Sequence, residues 1–247
     1  MLYDTIGTGY ASRRLPDPRV AAALSRALGD AGSVANIGAG AGSYEPSDRF
    51  VVAIEPSMNM IRQRPRGSAP VIQAQAERLP LLDGCVSAAM AVLTVHHWPD
   101  RAQGLQELRR VARDHIAILT WDPAGPEFWL TEEYLPALVA RDRQRFPGME
   151  EISSALGRVS AHTVPIPHDC IDGFLGAYWR RPRAYLDPAV RSGMSGFAAM
   201  PGLEEGLSRL GRDLQTGEWE RRFGHLLRRD SLDIGYRLVV ARKHRAV

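Results

Sequence analysis

The glycine-rich run Gly38-Ala39-Gly40-Ala41-Gly42 constrains this chain more than any other feature. It follows directly on a short apolar segment, Ser33-Val34-Ala35-Asn36-Ile37. A second β-rich segment, Phe50 to Ile54, comes soon after it and ends in an acid, Glu55. Segments this short, apolar on both faces, suit buried parallel strands. A strand running into a glycine turn lets backbone approach a ligand at the carboxyl edge of a sheet, where a side chain would collide. Taken alone, the loop is also met by a tight turn in a buried sheet. Further apolar runs follow at Val71 to Gln75, Ser87 to Val95 and His115 to Trp121. Helical stretches lie around them. Pro16 to Leu28 carries Val20, Leu24, Ala27 and Leu28 at helical spacing, and Asp100 to Arg113 carries Leu105, Leu108, Val111 and Ala112 on one face, with Asp100 placed as its cap. This alternation predicts an α/β fold with a doubly wound, Rossmann-like sheet.

The second half reads differently. Pro126 to Phe146 is expected to be helical. Val159 to Ile166 is expected to be a strand, with Pro165 and Pro167 marking an edge or an early end. Asp172 to Asp230 is rich in aromatics and arginines at helix-like spacing, and Ile234 to Ala241 reads as a final strand. The expectation is one domain over 1–247, in which 172–230 is a helical cap inserted before the last strand. Composition agrees with a single globular unit: of 247 residues, 45% are hydrophobic and 24% charged, which excludes a disordered or collagen-like chain. A chain this long needs no disulfide staple, and Cys85 and Cys170 form no metal-spacing pair, so no metal is expected. All but one of the 31 basic residues are arginine, a skew that codon usage in a GC-rich genome explains. Acidic residues are interspersed among them and the net charge is only +3, which argues against nucleic acid as the partner. Met1 to Tyr10 has no apolar signal-like region, and no apolar run approaches the ~20 residues of a membrane span. A soluble cytoplasmic protein is expected.

The glycine loop and Glu55 together suit a cofactor with a ribose, because a carboxylate can accept two hydrogen bonds from the diol. Nicotinamide dinucleotides and S-adenosylmethionine share that feature. Three details separate them. Ser43 stands where a dinucleotide fingerprint wants its third glycine. Only Ser43 to Arg49 separate loop from strand, too few for the helix whose N-terminus holds a pyrophosphate. Finally, Gln75-Ala76-Glu77 and Leu93 to Trp98 follow the third and fourth strands, where an adenine and a methionine moiety would be read.

Five stretches in order carry a family resemblance. Asn36 to Gly42 is similar to a first motif that usually opens with an acid, here replaced by Asn36. Glu55-Pro56-Ser57-Met58-Asn59-Met60 is similar to a second, and Ala74-Gln75-Ala76-Glu77-Arg78-Leu79-Pro80 to a third with Gln75 in place of Asp. Leu93-Thr94-Val95-His96-His97-Trp98-Pro99-Asp100 matches an L-H-H-x-x-D fourth motif. Tyr3 with Tyr10-Ala-Ser-Arg-Arg14 resembles an N-terminal cap. The chain thus resembles the class I S-adenosylmethionine-dependent methyltransferases, specifically the type 11 small-molecule group, over residues 3 to 121 and again at the last strand. The resemblance implies a seven-stranded sheet and S-adenosylmethionine as cofactor, with S-adenosylhomocysteine as product. It also implies cofactor contacts from Tyr10 and Arg14 at the methionine end, from Asn36, Gly38, Ala39 and Gly40 in the loop, from Glu55 and Pro56 at the ribose and Met60 on the adenine. Gln75, Ala76, Glu77 and Leu93 complete that set.

The acceptor is expected to be a small molecule. His96 and His97 are candidate bases, since imidazole titrates near neutrality; each can equally be a packed or backbone-bonded histidine. Adjacent side chains on a strand point to opposite faces, so one at most is expected to face the pocket. His168, just after the expected sixth strand, and Tyr178-Trp179-Arg180-Arg181 in the cap are candidate acceptor contacts, the aromatics for a flat body and the arginines for a carboxylate. The same residues are met by a turn and by a helix with aromatic core and solvated arginines. The competing readings are a nicotinamide-dependent oxidoreductase and a non-catalytic cofactor-binding protein of methyltransferase ancestry.

Overall fold

The computed structural model describes residues 14–198 and 200–243. The chain enters through helix α1 (Pro18–Leu28), which Asp17 caps by accepting the amide of Arg19. Pro18 opens the helix, where its missing N–H costs nothing. Strand β1 (Ser33–Ile37) then runs to the glycine turn and β2 (Phe50–Ile54) lies parallel beside it. No helix forms between them. Short helix α2 (Met58–Arg62) and strand β3 (Val71–Ile72) follow, then β4 (Val86–Val92), helix α3 (Arg101–Val111) and β5 (Ala112–Trp121). After helices α4 (Pro136–Arg145) and α5 (Met149–Leu156) come β6 (Val159–Thr163) and the short β7 (Ile166–Pro167). The insertion holds α6 (Pro188–Arg191), α7 (Leu203–Thr216) and α8 (Glu218–Phe223) among several 3-10 turns, and β8 (Ser231–Leu232) and β9 (Tyr236–Arg242) close the chain.

The main sheet has seven strands in the order β3-β2-β1-β4-β5-β9-β6. The first five are parallel and β9 is antiparallel to both its neighbours. The central strands are buried almost throughout, as expected of parallel strands covered on both faces. Their side chains alternate between two cores. Val34, Ala88 and Met90 face the core shared with α1 and the insertion, while Ala35, Ala89 and Ala91 face α3 and α5. Strand β6 is exposed along most of its length and pairs on one side only, the edge position that Pro165 predicts. Strands β7 and β8 pair with each other, Ile166 with Leu232, and so join the two ends of the insertion.

Two segments differ from expectation. Pro126 to Phe146 is not one helix: a π-helical turn (Leu130–Tyr134) breaks at Leu135 before α4 begins. Pro136 is the reason, since its ring disfavours helical backbone at the residue before it. Nor does the fourth strand carry the histidines. Strand β4 ends at Val92, Leu93 takes a left-handed φ of 51°, and Val95–His97 forms a 3-10 turn.

Candidate functional site

A cavity of about 470 Å³ opens at the carboxyl ends of β1, β2 and β4. The glycine turn forms one wall. Gly38, Gly40 and Gly42 all have positive φ, and a Cβ on Gly38 would fall within the Thr94 side chain. The amides of Gly38 and Ala39 both donate to the carbonyl of Ile54, at 2.8 and 3.0 Å, which pins the turn to the end of β2. Next to it, Glu55 is only 5% exposed. Its Oε2 accepts the amide of Gly40 at 2.8 Å and its Oε1 the amide of Ser57 at 2.9 Å. The two bonds fix the carboxylate in orientation.

Asn36 is buried at the floor, where its amide donates to Glu45 at 3.2 Å. Glu45 is itself clamped by Arg64 at 2.8 and 2.9 Å. The side-chain oxygen of Asn36 is thereby directed away from that pair. Met60 is buried and lines the same cavity, as do Pro56 and Ser57. Gln75, Ala76 and Glu77 line the opposite side. Their loop is latched from below: Glu107 accepts the amide of Leu79 at 2.8 Å, and Arg110 donates to the carbonyls of Leu79 and Leu81.

The two histidines meet at the cavity's end. In a 3-10 turn successive residues are about 120° apart, so both rings reach the cavity wall, contrary to the strand-based expectation that one would. Their centroids are 3.9 Å apart, and His96 stacks on Phe146 at 3.9 Å. Arg145 lies 3.1 Å from Nδ1 of His97. An arginine only donates, so Nδ1 accepts and the ring is neutral with its proton on Nε2. Desolvation, then Arg145 and Arg14, hold His97 down to about 3. Desolvation, His97 and three arginines hold His96 well below its ordinary value, and its Nδ1 has no partner among the described residues.

A second chamber of about 90 Å³ adjoins the first. Arg14, Leu93, His96 and Arg145 line both. Five aromatic side chains from distant parts of the chain also line it: Trp121, Phe128, Phe146, Phe174 and Tyr236. Asp142 also lines it; burial raises its carboxyl above the usual range, and Arg141 lies 3.4 Å away. Arg14 is held by Asp172, which is fully buried and also accepts the hydroxyl of Tyr44 at 2.9 Å.

The family model for a methyltransferase domain, type 11, matches residues 35–118. A solved structure from Anabaena variabilis, of a protein assigned as a methyltransferase from an antibiotic biosynthesis pathway, is 33% identical over 93% of this chain and 98% of that one, with a TM-score of 0.85. The chain belongs to the class I, type 11 S-adenosylmethionine-dependent methyltransferases. Two more distant structures share the fold of this methyltransferase. YcgJ of Bacillus subtilis is 14% identical over 99% and 100% of the two chains (TM-score 0.53), and a Bacillus halodurans protein assigned as a methyltransferase is 15% identical over 90% and 98% (TM-score 0.53). No protein of curated function matches the sequence significantly.

For the methyltransferase, the structure brings together Arg14, Asn36, Gly38, Ala39, Gly40, Glu55, Pro56, Met60, Gln75, Ala76, Glu77, Leu93, His96 and His97 around one cavity. Tyr3 and Tyr10 lie outside the described residues. The five residues picked as acceptor contacts line neither chamber. Trp179 is a core side chain, fully buried, with Nε1 donating to the carbonyl of Ile166. Arg181 lies 4.5 Å from the Tyr178 ring centroid and donates to the carbonyls of Cys170 and Ala177. Arg180 donates to the carbonyl of Arg229, and His168 lies 3.4 Å from Asp169. Trp179, Arg180 and Arg181 spend donors on backbone carbonyls. Sequence reading missed Tyr44, Arg145, Phe146 and Tyr236, which lie in no motif and converge only in three dimensions. No helix among the described residues is long and apolar enough to cross a membrane.

Proposed function

We propose that this methyltransferase binds S-adenosylmethionine in the larger chamber and methylates a small-molecule acceptor that enters beneath the 172–230 cap. The observation that carries the reading is Glu55, buried and oriented by two backbone amides at the mouth of a glycine turn. Such a carboxylate fits a ribose diol. The glycine turn leaves the room a nucleoside needs, and the missing helix between β1 and β2 removes the pyrophosphate site of a dinucleotide.

On this reading Glu55 accepts the ribose hydroxyls, with Pro56 and Gly40 shaping the ribose wall. Met60 and Ala76 sandwich the adenine, and Gln75 and Glu77 meet its polar edge. Asn36, Gly38, Ala39 and Leu93 surround the methionine end, and the Asn36 oxygen stands in for the carboxylate that the family usually places there. Bound S-adenosylmethionine supplies an electrophilic methyl group on a sulfonium. The chain's own contribution is alignment, exclusion of water by the aromatic walls, and an imidazole to take a proton. His96 is the imidazole placed for that, its ring lining both chambers; burial, His97 and three arginines disfavour its cation, so it takes a proton only from an acidic donor. His97 positions it, its own Nδ1 being engaged by Arg145.

Calorimetric titration with S-adenosylhomocysteine tests the reading. Wild-type protein is expected to bind it and not NADH. Glu55→Ala is expected to weaken binding roughly 100-fold, about 2.7 kcal/mol for two charge-assisted hydrogen bonds. Unchanged affinity in that variant would remove Glu55 from the site and the reading with it.

A further inference from the structure

Arg14 and Arg145 line both chambers, and a third guanidinium, Arg141, adjoins Asp142 on the wall of the second; two of the three have counter-ions. Arg14 is neutralised by the buried Asp172 and Arg141 by Asp142. Arg145 is different. Its guanidinium donates to the neutral ring of His97, and among the described residues no carboxylate lies within 4 Å of it. A half-buried cation without a counter-charge is costly, and the cost is recovered when an anion arrives. Asp142, on the wall of the same chamber, feels both Arg141 and Arg145, and of these five charged groups one positive charge is left over, beside Trp121, Phe146, Phe174 and Tyr236.

We propose that the second chamber takes an acceptor presenting an anionic oxygen, a carboxylate or an acidic hydroxyl, on an apolar body, with Arg145 as its counter-ion and specificity-determining residue. This rests on the cofactor reading above. An ammonium acceptor would meet an uncompensated guanidinium and be excluded. Transfer forms an O–CH3 bond and breaks the S–CH3 bond, whose electron pair stays on sulfur. A hydroxyl acceptor gives its proton to the His96 imidazole; a carboxylate has none to give. The chamber's 90 Å³ is below the roughly 150 Å³ of a cavity that encloses benzene, so a ring is only partly enclosed there and extends into the larger chamber.

The test uses the full chain saturated with S-adenosylhomocysteine and three one-ring probes: phenylacetate, 4-nitrophenol and benzylamine. At least one of the two acidic probes is expected to bind tenfold or more tightly than benzylamine. The two arms distinguish a carboxylate from a hydroxyl, and absorbance of bound 4-nitrophenol reports whether it binds as the anion. Arg145→Gln is expected to abolish the preference, and Arg145→Lys to keep part of it. Benzylamine binding as well as the acidic probes would overturn the proposal, as would no binding by either acid, or a preference that survives in Arg145→Gln. Loss of S-adenosylhomocysteine affinity in Arg145→Gln would overturn it too, by assigning that guanidinium to the cofactor's own carboxylate. Failure of S-adenosylhomocysteine to bind wild-type protein would instead bring down the underlying cofactor reading, and this proposal with it.

Discussion

Single residues here are held in conformations that only their neighbours justify. Leu93 has a left-handed φ, costly for a side chain with a Cβ, and it sits where the two chambers meet. Gly38 has φ of 70° and no room for a methyl group against Thr94. Gly38→Ala is therefore expected to lower stability by about 1–3 kcal/mol, read from the urea midpoint, and to weaken S-adenosylhomocysteine binding in the same preparation. Asp172 is a different kind of keystone. It receives Arg14 from the N-terminal side and Tyr44 from the segment after the glycine turn, and it belongs to the insertion. Asp172→Ala leaves a guanidinium without its counter-charge, and a loss of about 3–5 kcal/mol is expected on denaturant unfolding. Asp172→Asn keeps the volume but turns one of the two acceptor oxygens into an NH2 donor facing Arg14 or Tyr44, and it removes the counter-charge as well, so a loss of similar size is expected.

At the scale of elements, the loop carrying Gln75 to Glu77 depends on α3 for its position. Arg110→Ala removes donors to the Leu79 and Leu81 carbonyls and to Asp83. Faster hydrogen exchange at the Leu79 amide is expected, with S-adenosylhomocysteine affinity falling about tenfold. Much at this scale was legible in the sequence. Buried strands announce themselves by unbroken apolar runs, and the glycine turn and Glu55 lie next to each other in the chain as they do in space. The histidine turn was not legible, because nothing in Leu93-Thr94-Val95 marks a left-handed residue that ends the strand early. The second chamber was not legible either. Trp121, Phe146, Phe174 and Tyr236 belong to four separate segments, and each alone looks like an ordinary core aromatic. In the cap the ambiguity ran the other way: aromatic spacing around Trp179 is the same for a pocket wall and for the core position it occupies.

For the molecule as a whole, the neutral histidine pair ties stability to pH. Unfolded, His97 takes a proton near pH 6.5; folded, it resists until about pH 3. Between those values the unfolded chain binds more protons, so stability is full above pH 6.5 and declines as pH falls towards 3, by up to about 1.4 kcal/mol per unit for one histidine. Urea midpoints at pH 7.5 and 5 should show this slope, and His97→Asn should remove the share of His97 while leaving that of His96. The strand order has a consequence in time. Strand β9 comes last in the chain yet lies between β5 and β6, and the ribbon that joins the ends of the insertion needs β8 just before it. While a ribosome is still extending the insertion, β5 presents an unpaired edge of apolar backbone, the kind of surface on which nascent chains associate. Strand β9 is thus the step that both closes the sheet and ends that exposure, so translation pausing within the insertion would lengthen the interval in which the β5 edge stays open.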